Sequence, residues 1–132
     1  MRQNITLTIV SLLSILLFSF HLADDIVRGF EPGTRTNLPA ILIFVFWMYG
    51  TVVLGGRRSG YIITLLGGLF SLVVPLAHMR GKGVGLSSST LAHTSGHFFF
   101  VWTLFAIGVT GLFAFILSVH ALWALPWRRQ KT

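Results

Sequence analysis

Histidine and carboxylate are the side chains in this sequence best suited to share a proton or a metal ion, and they are unevenly placed. The stretch FSFHLADDIVRGFEPG (18–33) holds His21, Asp24, Asp25, Arg28 and Glu31, and its three acids are the only ones among 132 residues. On a continuing helix, His21 stands beside Asp24 and Asp25 at i+3 and i+4. HTSGH places His93 and His97 four apart, a usable metal spacing on a helix, although Gly96 and the preceding Ser-Thr run weaken helix there. His78 closes another apolar run. Imidazole and carboxylate together hold Zn²⁺, Cu²⁺ or Fe²⁺. A carboxylate also fixes an imidazole's tautomer and raises its basicity.

These types and spacings predict that His21, Asp25, His78 and one or both of His93 and His97 converge on a metal or proton-handling site. Asp24, Arg28 and Glu31 complete the polar cluster around it. The competing expectation is an interfacial network of hydrogen bonds and ion pairs, beginning with the i, i+4 pair Asp24–Arg28. Haem fits less well, because single histidines at helix ends give no paired-ligand pattern within a bilayer.

What must position these residues is set by composition. The chain is 54% hydrophobic and only 10% charged, where ordinary soluble domains are about 25% charged. A chain this short cannot hide that much apolar surface in one core, so lipid is its natural solvent. The net charge of +7 does not read as nucleic-acid binding, because the basic residues sit at the ends of apolar runs and form no patch. No cysteine is present, which removes disulfides, Cys-based zinc sites and thiol redox chemistry. The known nucleotide-loop, zinc-protease and nucleophile-elbow patterns are also missing.

Four apolar stretches emerge, at about 5–22, 38–54, 61–77 and 98–125. Crossing the hydrocarbon takes about 20 residues of helix, and only helices satisfy their own backbone there. The expectation is an all-α, polytopic membrane protein: four transmembrane helices in one up-down bundle spanning residues 1–132. Arg2, Arg57, Arg58, Arg128, Arg129 and Lys131 lie in short segments on one side. Arg28, Arg35, Arg80 and Lys82 are diluted through loops 23–37 and 78–96 on the other. The positive-inside rule then places both termini in the cytoplasm and those loops outside, with the plasma (inner) membrane as the location. A cleaved signal peptide is the rival reading of the first span, with Ala23 at the cut, but His21 is not the small residue such sites prefer.

Helical periodicity sharpens the picture. On the first span Asn4, Thr8, Ser11, Ser14, His21, Asp25 and Arg28 share an arc of roughly 160° with Phe18, a stripe that should face other helices. Small residues recur at four-residue spacing in the third span (Gly60, Thr64, Gly68) and the fourth (Ala106, Thr110, Ala114, Ser118), with Gly111 beside the latter. They predict close helix packing. Pro75 is expected to kink or finish the third helix just before His78.

Functionally, the short loops, small-residue stripes and lack of a soluble domain point first to a non-catalytic subunit or scaffold of a larger membrane assembly. Its partners would be the lipid bilayer and other membrane proteins, or further copies of itself. An oligomeric small transporter or channel is the second reading. A metal-binding or redox protein using the outer His/Asp cluster is the third.

Overall fold

The computed structural model describes residues 4–80 and 95–125, with backbone alone at Met79 and Arg80. Its four helices are α1 (Ile5–Val27), α2 (Leu38–Val52), α3 (Arg58–Arg80) and α4 (Ser95–Ala124). The Asn4 side chain caps α1 by accepting from the Leu7 N–H at 3.1 Å. α1 does not stop where its hydropathy falls at residue 22. It runs on through both aspartates to Val27 and ends at Gly29, whose φ of +75° breaks the helix. The Asp25 carbonyl then collects the N–H groups of Phe30 and Glu31.

A 3₁₀ turn at Arg35–Asn37, capped reciprocally by Thr34 and Asn37, leads into α2. Pro39 sits in the first turn of α2, where its missing N–H leaves no bond unmade. Pro75 does not finish α3. The helix continues past it to Arg80, so His78 is a helical residue.

The helices alternate in direction. His21, near the end of α1, meets His78, near the end of α3. The same end of α1 meets the start of α4 through Thr103 and Gly96. At the opposite end Ser11 meets Thr51 of α2, and Leu7 packs with Tyr61 and Ala114. This is an up-down four-helix bundle.

Three helices, Ile5–Val27, Arg58–His78 and Ser95–Ala124, are long and apolar enough to cross a membrane. The protein is therefore membrane-embedded and all-helical. Its outer faces carry exposed Leu16, Phe20, Phe46, Leu66, Phe105 and Phe113, the arrangement expected where lipid is the solvent. α2 is different. Its 15 residues extend about 22 Å at 1.5 Å per residue, short of the roughly 30 Å hydrocarbon thickness.

Inside, the stripe read from α1 faces its neighbours: Ser11, Ser14, Phe18, His21 and Asp25 are all buried. Across from it α4 buries Phe100, Thr103, Ile107, Gly111, Ala114 and Ser118. The middle of the bundle is filled by Ile15, Phe18, Trp47 and Ile107, with the Phe18 ring stacked on Phe70 at 5.2 Å. α3 and α4 approach backbone to backbone. A Cβ on Gly68 would stand 2.9 Å from the Gly111 carbonyl oxygen, and one on Gly111 would overlap Ser71 Cβ. The small residues therefore do packing work.

Candidate functional site

At the end where α1 and α3 both terminate, three side chains meet. His21 and Asp25 are one turn apart on α1, and His78 comes from α3. His21 is 3% and Asp25 7% exposed, and one donor atom from each of the three lies within 4.8 Å of the others. Asp25 Oδ2 is 3.6 Å from His21 Nε2 and 4.0 Å from His78 Nε2. The two imidazoles touch edge to face, with centroids 5.1 Å apart. The fully buried Phe100 ring backs both of them, at 4.9 Å from His21 and 5.8 Å from His78.

The hydrogen bonds on the far side of each ring fix its tautomer. Thr103 Oγ1 donates its one proton to the Phe100 carbonyl at 3.0 Å. It can therefore only accept from His21 Nδ1, 3.2 Å away. His78 Nδ1 lies 2.9 Å from the Val74 carbonyl, which has no proton to give. Both rings thus carry hydrogen on Nδ1, and in the neutral form each presents a bare Nε2 lone pair toward the carboxylate. His21 Nε2 and Asp25 Oδ1 are buried without a hydrogen-bond partner among the described residues. Three Lewis-basic groups face one another, and that arrangement suits a cation.

Asp24, Arg28 and Glu31 find their partners away from the triad. Arg28 Nε donates to Asp24 Oδ2 at 2.7 Å, so the i, i+4 pair expected from sequence is present. The bond to Asp24 pushes the Arg28 guanidinium up from its ordinary value. Arg28 also reaches across to α4, where Nη2 donates to the Gly96 carbonyl at 2.9 Å. A Cβ at position 96 would overlap that guanidinium. Glu31 Oε2 accepts from Asn37 Nδ2 at 3.0 Å. Of the three acids, Asp25 alone is turned inward to the imidazoles.

Of the five residues expected to converge, the structure brings together His21, Asp25 and His78. His97 lies in the first turn of α4, at the same end of the bundle, and is not one of the three. His93 lies outside the described residues. The edge-to-face contact of the two rings leaves no space for a porphyrin plane between them, so a haem held by both does not fit. Sequence reasoning passed over Thr103, Phe100 and the Val74 carbonyl. Thr103 and Phe100 carried a usable signal, since they continue toward the chain start the buried spacing 107, 111, 114, 118 of α4. The carbonyl carried none.

Comparison of the chain with known protein families, with curated proteins and with solved structures finds no match.

Proposed function

We propose that this protein is a non-catalytic subunit of a larger assembly in the plasma (inner) membrane, crossing it four times with both ends in the cytoplasm. α1 and α3 end on the same side, so the chain between them has to return across the bundle, and α2 is the segment that does it. The positive-inside asymmetry supports the orientation.

The observation that carries the subunit role is α2 itself. It is shorter than the bilayer core, and only Trp47, Gly50 and Thr51 of it are buried. Val45, Phe46, Met48 and Val52 stand exposed along it. A short hydrophobic segment is accommodated by thinning the bilayer or by association, and a transmembrane helix of a partner subunit laid on this face is the reading we favour. A transporter role has less support. The middle of the bundle is plugged by Phe18, Trp47 and Ile107, and Ser14, Thr64 and Ser71 donate back to their own helices, which is no wire for protons.

Purification of the tagged full-length chain in mild detergent tests the role. Co-purification of a membrane protein in fixed ratio, lost on Phe46→Ala combined with Val45→Ala, is the expected result. A homo-oligomer that carries ion flux in proteoliposomes would overturn it in favour of the transporter reading.

A further inference from the structure

We propose that His21 Nε2, His78 Nε2 and Asp25 Oδ2, brought together where α1 and α3 end, bind one divalent transition-metal ion, and that Thr103 positions His21 for it. The site stands independently of the subunit role.

Coordination chemistry requires deprotonated donors aimed at one point. Here both imidazoles are held with hydrogen on Nδ1 by groups that accept from it, Thr103 Oγ1 and the Val74 carbonyl. Metal-bound histidines are oriented in this way, with the second ring nitrogen donating to a carbonyl, hydroxyl or carboxylate. The donors are also near the right separation. Ligands about 2.1 Å from a tetrahedral ion lie roughly 3.4 Å from one another. The two separations from Asp25 Oδ2 are 3.6 and 4.0 Å, so small side-chain rotations close the set.

Local electrostatics favour a cation. The carboxylate is buried, and its Oδ1 has no hydrogen-bond partner among the described residues. Arg28 is committed to Asp24 and to the Gly96 carbonyl. Two nitrogens and one oxygen select Zn²⁺, Fe²⁺, Co²⁺ or Cu²⁺ over Mg²⁺ and Ca²⁺, which take oxygen donors.

The full-length protein in detergent, stripped with chelator and dialysed against Zn²⁺ or Co²⁺, tests this directly. One ion per chain is expected, with visible Co²⁺ d–d absorption that excess Mg²⁺ and Ca²⁺ do not displace. His21→Ala and His78→Ala should each weaken binding at least 100-fold, and the exposed His120→Ala should leave it unchanged. Thr103→Val should weaken it about 10- to 100-fold, with Thr103→Ser restoring wild-type affinity.

Substoichiometric metal in the wild-type chain would overturn the site whatever the variants do, and would leave a shared proton as the cation. Displacement by Ca²⁺ would overturn the metal class. Loss of binding on His120→Ala would place the ion elsewhere. Unchanged affinity in Thr103→Val would remove the positioning role alone.

Discussion

The two ends of this bundle treat polar side chains in opposite ways. Of the hydroxyls of Ser11, Ser14, Thr51, Thr64 and Ser71 in one half, four have a local solution. Ser14 donates to the Val10 carbonyl, Thr51 to Trp47, Thr64 to Gly60 and Ser71 to Gly67. Ser11 is the exception that crosses between helices. Because Thr51 has already given its proton to Trp47, Ser11 must be the donor in their 2.7 Å bond. At the other end the donors point away from the centre and the acceptors point into it. Burial is equal in the two regions: Ser14 and Ser71 are as hidden as His21. Burial of polar groups is therefore no guide to function here. The direction of the protons separates packing from chemistry.

The largest effect expected from breaking this contrast lies in the packed half. A leucine at position 111 would drive into Ser71 Cβ at the closest approach of α3 and α4. Gly111→Leu should destabilise the bundle by about 3 kcal/mol and lower its melting temperature in detergent. Adding Ser71→Gly should recover part of the loss, since it removes the struck atom. A Gly111→Leu protein that melts with wild type would mean that α3 and α4 are not packed as described.

How much of this was legible beforehand depends on whether a feature is local. The stripe on α1 was legible because helical periodicity within one segment places Ser11, Ser14, Phe18, His21 and Asp25 on a shared face regardless of what lies opposite. The alternation of four helices followed from hydropathy. The length of α1 did not. Hydropathy ends where charge begins, whereas the helix ends where the backbone turns, at Gly29. His78 was already expected beside His21, but leaving His97 out of the triad required the register of α3 and α4 against α1 and against each other. The contact of Gly68 with Gly111 sets part of it, between α3 and α4, and no single segment encodes it. The Val74 carbonyl was invisible for a simpler reason: backbone groups carry no letter.

An intermediate effect tests the polar end. Asp24 and Asp25 are adjacent and chemically identical, yet they should respond in opposite directions to loss of charge. Asp24→Asn weakens a partly exposed bond to Arg28 and should destabilise by less than about 1 kcal/mol. Asp25→Asn in metal-free protein replaces a repelling carboxylate with an amide whose N–H can donate to an Nε2 lone pair. It should stabilise by about 1 kcal/mol, while abolishing the stabilisation that Zn²⁺ gives the wild type. Melting curves of the two variants, with chelator and with Zn²⁺, read both signs. A destabilised, metal-indifferent Asp25→Asn would identify the triad as an ordinary ion pair with a protonated histidine.

The smallest effect sharpens the contrast most, because it lies wholly inside the half taken to be structural. Ser14→Ala removes a hydroxyl that donates only to Val10, a carbonyl whose position four residues back already suits a helical N–H. The change should be below about 0.5 kcal/mol. Ser11→Ala removes a hydroxyl bond that joins two helices, and membrane interhelical bonds average about 0.6 kcal/mol. It should therefore cost measurably more, and a double-mutant cycle with Thr51→Val should assign that excess to the Ser11–Thr51 pair. Should Ser14→Ala prove the costlier change, a locally satisfied hydroxyl would be serving something beyond its own helix, and proton direction would no longer divide the two ends.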